Sequence, residues 1–379
     1  MGVAPASGNP ALKGAPPDPL ADIRSLFSPA PGLVYLDTAT YGLPPRPTVE
    51  ALRRFIAAWS DGTGDWIADW DQPSDRCRTD FADLIGARPA DIAGIPAASV
   101  GVGVVTSALQ PGDEIVVPED EFTSTLFPLL VASRRGCRIH EVPFERLADE
   151  VSPHTRLVAT SLVQMQTGRT ADLRAICDAA ERVGASVLID ATQGIPFVDV
   201  SSLIGRIDYM VCAAYKHLLC PRGVAFLYVR EDHWEELAPH NANWRSADSP
   251  YARYFGGPLT LAADAARFDV SRGWMAWVGA IESLRLLLEW RSEGAFDEVR
   301  ALARALGEGL GVDPPNASLV CVPIDDAEGV RQELGRAGVK AAVRGTGIRF
   351  AVHVYNSPAD VEAAIRAVEP FVRQGAARA

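Results

Sequence analysis

Between about residue 50 and residue 229, short apolar runs alternate with segments whose apolar positions recur at helical spacing. The runs Glu114–Val117, Arg138–Pro143, Arg156–Ser161, Ser186–Asp190, Asp208–Ala213 and Val224–Val229 are four to six residues long and bounded by turn formers such as Pro111-Gly112-Asp113. Between them lie stretches such as Leu173–Val183, with Gly184 placed to stop a helix. Strands buried on both faces and alternating with helices predict a mostly parallel sheet covered on both sides, an α/β architecture.

From Ala262 to Trp290 the pattern predicts one long helix, interrupted near Ser271–Gly273. The grammar then changes to helix (Ala295–Leu310), strand (Ser318–Ile324), helix (Ala327–Gly338), strand (Gly347–Val352) and helix (Pro358–Val368), a small α+β unit. The predicted organisation is a tail over residues 1–20, rich in Pro, Ala and Gly. An N-terminal segment (21–50) joins the small domain, and a large domain (51–261) precedes the small one (262–379).

Composition narrows the function. A net charge of −12 repels phosphate polymers and anionic membranes, so neither nucleic acid nor a membrane surface is expected as a partner. No apolar run approaches the roughly 20 residues that span a bilayer, and the N-terminus lacks the order of a signal peptide. The six cysteines, Cys77, Cys137, Cys177, Cys212, Cys220 and Cys321, form no C-x-x-C pair, which argues against zinc and for reduced core residues of a cytoplasmic protein.

In open α/β sheets, ligands bind beyond the carboxyl ends of the strands. The run Ser186–Asp190 delivers Asp190 to such an end, and Asp208–Ala213 is followed at once by Ala214-Tyr215-Lys216-His217. A lysine desolvated there is held as the neutral amine that condenses with an aldehyde. The competing reading of the pair is a surface ion pair of little consequence.

Two motifs extend this reading, Ile-Asp-Ala-Thr-Gln-Gly (Ile189–Gly194) and Tyr-Lys-His-Leu-Leu-Cys-Pro-Arg-Gly (Tyr215–Gly223). With Tyr-Leu-Asp-Thr-Ala-Thr-Tyr-Gly (Tyr35–Gly42), they make the chain resemble the class V aminotransferase family from about Leu33 to Val372. These are fold-type I enzymes of pyridoxal 5′-phosphate (PLP) that include cysteine desulfurases, kynureninases and isopenicillin N epimerases. The resemblance implies a large domain with a mostly parallel seven-stranded sheet and a smaller α+β C-terminal domain. It also implies a Schiff base on Lys216, with Asp190 facing the pyridine nitrogen so that the ring withdraws electrons from Cα. Gln193 and Gln164 fall near the ring's phenolic oxygen, and Phe122 stacks on the ring. Ala98, Ser99 and Val100 at a helix start, with Tyr215, hold the phosphate. Ala213 replaces the hydroxyl residue usual three positions before the lysine. Ser271 and Arg272 correspond to a segment reaching the neighbouring subunit's phosphate, which implies a homodimer with shared sites. Arg349 takes the substrate α-carboxylate in a two-pronged contact.

The family spans several reactions. The stretch Gly338–Gly347 carries no cysteine where desulfurases place a nucleophile, and Cys321 falls inside a predicted strand, so persulfide transfer is disfavoured. The expectation is a PLP enzyme acting on a small amino acid through a Cα carbanion, by β-elimination from an S-substituted cysteine, with transamination and epimerisation as alternatives. A non-catalytic PLP sensor is disfavoured because Lys216 is kept, and a nicotinamide-binding module because no G-x-G-x-x-G follows a first strand. Trp59, Trp66 and Trp70 are expected in the core rather than a pocket wall, and His217 is expected to be structural.

Overall fold

The computed structural model describes residues 18–313 and 315–372, so the predicted N-terminal tail lies almost wholly outside the described residues. A seven-stranded sheet organises the larger part. Its spatial order is Ile92–Ile95, Ala225–Val229, Tyr209–Ala213, Ser186–Asp190, Thr155–Ser161, Glu114–Pro118 and Arg138–Val142. The last five are mutually parallel, Ala225–Val229 is antiparallel to this block, and Ile92–Ile95 is in turn antiparallel to Ala225–Val229.

The Ser186–Asp190 and Tyr209–Ala213 strands are buried at every position, because alternate residues face two separate helix layers. Leu188, Tyr209 and Val211 pack on the side of the Ala98–Val105 and Thr123–Ser133 helices. Val187, Ile189, Met210 and Cys212 pack on the opposite side with Trp277 and Phe81. The helix Leu173–Val183 forms as its pattern predicts. Asp172 caps it by accepting from Ala175 N–H at 3.0 Å, and Gly184 ends it at φ 73°.

Two predictions needed correction. Ile92–Ile95 is a strand that the sequence pattern did not reveal, since it has four residues and an interior glycine. The long helix predicted from Ala262 begins only at Trp274. Before it, Leu261 bridges to Ala247, and Asp264 caps a 3₁₀ turn over Ala265–Phe268 by accepting from Ala266 N–H.

Beyond the Trp274–Ser292 and Ala295–Gly309 helices, Leu319–Pro323, Gly347–Ala351 and Ala342–Arg344 form an antiparallel three-stranded sheet. The N-terminal segment is tied to this region. Val34–Tyr35 pairs in parallel with Val339–Lys340, and Asp37 bridges to Ala351. That pairing carries Ala39, Thr40 and Gly42 to the carboxyl edge of the large sheet. Among the described residues no helix is long and apolar enough to cross a membrane.

Candidate active site

Registry puts the polar strand ends together. Ser161 pairs with Asp190 and Asp190 with Val211, so the Tyr209–Ala213 strand runs on past Asp190 directly into the lysine loop. That loop closes on itself, with Cys220 N–H on Ala214 O and Ala214 N–H on Val224 O, both 3.0 Å. Leu219 accepts a left-handed φ of 55° to make the turn. The N-terminal segment covers it closely: Gly42 N–H donates to Tyr215 O at 2.9 Å. A Cβ at Gly42 would stand 2.3 Å from Lys216 O and 2.5 Å from Leu219 Cδ2. Only glycine fits.

The sequence holds three lysines, Lys13, Lys216 and Lys340. Lys340 is exposed and hydrogen-bonds the Tyr41 hydroxyl, whereas Lys216 is 5% exposed. Among the described residues the Lys216 amine has no hydrogen bond or ion pair, and it lies 5.1 Å from the Phe122 ring centroid. Burial pushes its pKa down to about 8, against the pull of Asp190 and with the help of Arg349 and Arg344.

Asp190 is 4% exposed and accepts from Thr192 N–H at 2.9 Å and the Thr125 hydroxyl at 3.3 Å. It reaches Lys216 through its field but not by contact, which removes the surface ion-pair reading. Phe122 supplies an apolar face beside the amine. The Phe122 N–H donates to Glu121 Oε1 at 2.7 Å, and Glu121 also receives Ser161 N–H at 2.7 Å and the Ser161 hydroxyl. Glu121, whose pKa burial raises, thus fixes Phe122 to the neighbouring strand. Sequence reasoning passed over Glu121, Thr125 and Thr192, whose partners lie on other elements; the one local hint was a carboxylate directly before the aromatic residue.

Gln193 is buried, with Nε2 on Ala39 O at 3.2 Å and Oε1 on His217 Nε2 at 2.9 Å. Since an amide oxygen only accepts, His217 carries its proton on Nε2. The ring is fully buried against Phe197 and His353, and burial holds its pKa well below the ordinary histidine value. His217 orients Gln193.

The phosphate candidates divide. The helix Ala98–Val105 begins at Ala97, which offers no capping side chain, so its first N–H groups lack a side-chain partner and suit an anion. Ala98 and Ser99 belong to that start, but Val100 N–H already donates to Ala97 O at 3.0 Å, a correction to its expected role. Tyr215 is half-buried, its ring 5.8 Å from the Lys216 amine.

Arg272 also needs correction. Its side chain is buried within its own subunit, held by the Ser74 hydroxyl and Asp75, with its guanidinium 4.6 Å from the Trp277 ring centroid. In this arrangement it is not presented to a neighbour, while Ser271 is exposed. Gln164 shapes its own turn instead of donating to the ring: its Oε1 accepts from Gln166 N–H, Thr167 N–H and the Thr167 hydroxyl, and its Nε2 faces Asp120 O at 3.4 Å.

Arg349 is 3% exposed on the Gly347–Ala351 strand. One Nη donates to the Thr40 hydroxyl at 3.1 Å, and Asp37 lies 3.6 Å away. Its Nε and Nη1 are buried without a partner, donors that the protein itself leaves unsatisfied and that a bound anion would satisfy. The tryptophans separate as well. Trp59 is exposed, whereas Trp66 and Trp70 pack against Trp274, and Trp70 also against Phe55.

The aminotransferase class-V family model matches residues 34–312. The chain belongs to the class-V aminotransferase family. The family uses PLP, and the fold is fold type I. Lys216, Asp190, Phe122 and the uncapped start of the Ala98–Val105 helix fit that cofactor's aldehyde, ring nitrogen, ring face and phosphate.

Among known proteins, the class-V chain is 29% identical over 220 residues to a probable cysteine desulfurase of Methanothermobacter thermautotrophicus, covering 54% of this chain and 55% of that protein. It is 29% identical to the isopenicillin N epimerase of Amycolatopsis lactamdurans, covering 59% of this chain and 61% of the relative. The chain thus spans little more than half the length of these relatives. A solved cystine C–S lyase in complex with its product cysteine persulfide shares the fold, with a TM-score of 0.80 at 22% identity, over 90% of this chain and 98% of the other.

Proposed function

We propose that this class-V enzyme is a carbon–sulfur lyase acting on an S-substituted cysteine. The overall reaction takes the amino acid and water to pyruvate, ammonia and a thiol. PLP, when bound, supplies the electron sink that makes the Cα proton removable. The rest falls to the chain's own residues. Arg349, whose guanidinium is buried and only partly satisfied by the protein, binds the α-carboxylate and so orients Cα. The buried Lys216 amine, with its pKa near 8, takes the Cα proton. Asp190 holds negative charge where a ring nitrogen would be protonated, and the departing sulfur takes its electron pair with the broken C–S bond.

The observation that carries the proposal is the isolated Lys216 amine, buried without a partner among the described residues, facing Phe122 and within the field of Asp190. Kinship with proteins named as desulfurases and with a cystine C–S lyase supports sulfur chemistry. Transfer to an enzyme cysteine is disfavoured. The thiol beside the carboxylate-binding arginine, Cys321, sits opposite Arg349 on the Leu319–Pro323 strand, and burial pushes it up to about 12, so it carries almost no thiolate near neutral pH.

The test is to incubate the holoenzyme with S-substituted cysteines in heavy water and follow thiol, pyruvate and ammonia. Equimolar release supports elimination. Deuterium entering Cα with loss of chirality and no thiol would replace it with epimerisation, which the kinship with isopenicillin N epimerase favours as the second reading. In the same proposal the working form is a cytoplasmic homodimer, with part of each phosphate site completed by the partner. The Ser271 segment is the candidate contributor.

A further inference from the structure

The three-stranded sheet turns one face toward the large domain. Ala342 pairs with Arg349, and residues two apart on a strand share a face, so Arg344 stands on the same side as Arg349. Strand geometry puts their Cα atoms roughly 8 Å apart. Cys321, paired with Arg349 from the other flank, completes this face. The turn after the Thr155–Ser161 strand lies against it: Met165 Sδ is 3.7 Å from Arg344 Nη1, and Met165 O is 3.9 Å from Cys321 Sγ. Arg344 and Arg349 line one cavity of about 1160 Å³.

The two arginines of this face are not matched by carboxylates in the same way. Arg169, also at the cavity wall, is paired with Glu145. Arg344 is exposed and has no carboxylate partner among the described residues. Arg349 has only Asp37, which also accepts from the Thr40 hydroxyl at 2.7 Å. The cavity wall also carries Asp149, Asp172 and Asp313, yet none of them pairs with Arg344. Arg344 therefore stands without a carboxylate partner on the same sheet face as Arg349, and both add to the positive field at the buried Lys216 amine.

We propose that Arg344 binds a second carboxylate, carried on the far end of the substrate's side chain, while Arg349 holds the α-carboxylate. The substrate class is then a dicarboxylic amino acid. This rests on the proposed function only for the placement of the α-carboxylate at Arg349. Arg344, being solvent-facing, selects among substrates by a contact that salt weakens.

A matched pair tests it: S-carboxymethyl-L-cysteine and S-carbamoylmethyl-L-cysteine, nearly equal in shape and differing by one charge. Binding is read from saturation of the cofactor's visible absorbance in the holoenzyme, independently of thiol release. The expected result is at least tenfold tighter binding of the acid, shrinking as ionic strength rises. R344Q weakens the acid by that factor and leaves the amide unchanged, and R344K keeps part of the preference. Equal binding of both ligands by the unaltered enzyme overturns the proposal, as does equal weakening of both in R344Q. Tight, charge-selective binding without thiol release leaves the second carboxylate site standing and removes the lyase assignment instead.

Discussion

The isolation of the Lys216 amine makes the pH dependence of cofactor loading calculable. An ordinary lysine, with a pKa near 10.5, is neutral in only about one molecule per thousand at pH 7.5. With its pKa pushed down to about 8 by burial, Lys216 is neutral in about one apoprotein molecule in four at that pH, a gain of roughly 200-fold in reactive amine. The rate at which apoprotein captures added PLP therefore rises to a plateau with a midpoint near pH 8. The charge environment predicts two opposite displacements of that midpoint. Asp190 raises the lysine's pKa, so Asp190→Asn moves the midpoint toward acid. Arg349 lowers it, so Arg349→Gln moves the midpoint toward base, and capture at pH 7.5 slows. Stopped-flow absorbance of apoprotein mixed with PLP between pH 6 and pH 10 gives each curve. A midpoint near 10 in the unaltered protein, or displacement of both variants in the same direction, refutes the reasoning.

Two further outcomes follow from the same geometry. Gly42→Ala drives a methyl into the Lys216 carbonyl, a backbone atom that cannot rotate aside. It is expected to cost about 1–3 kcal/mol in denaturant unfolding and to slow cofactor capture, because the displaced atoms belong to the lysine loop. Arg349→Lys keeps the charge but loses the planar guanidinium and its several donors. It should lower kcat/KM by about tenfold or more, with cofactor occupancy by absorbance unchanged.

The strands that carry the chemistry were legible because each is an unbroken apolar run, one ending in Asp190 and the other leading from Ala213 to Lys216. Ser186–Asp190 was read to the residue, and the start of Tyr209–Ala213 moved by one. Burial on both faces enforces that pattern wherever a strand lies inside a parallel sheet. The Ile92–Ile95 strand stayed hidden because an interior Gly94 and a length of four give no such run. The region from Ala262 to Gly273 misled for a related reason. Its apolar residues sit at helical spacing, yet Asp264 and Asp269 hold the backbone in a turn: Asp264 accepts from Ala266 N–H, and Asp269 takes up Gly94 N–H and Arg78.

Side-chain roles were harder than positions. Arg272 lies in a motif that pointed outward to a partner, but Asp75, Asp269 and the Trp277 ring draw it inward. Thr40 and Asp37, which steady Arg349, come from the opposite end of the chain, and no local pattern links groups 309 residues apart. Glu121 illustrates the same limit, since its importance comes from Ser161 on the adjacent strand.

The covalent attachment point is the most direct measurement. The holoenzyme is reduced with borohydride, digested and mapped by mass spectrometry, which fixes the cofactor irreversibly to whichever amine held it. Of the three lysines in the sequence, only the Lys216 peptide should carry the pyridoxyl group, and Lys216→Ala should abolish both the label and the visible band. A label on Lys13 or Lys340, or an unlabelled protein that keeps its activity, contradicts the account at its root.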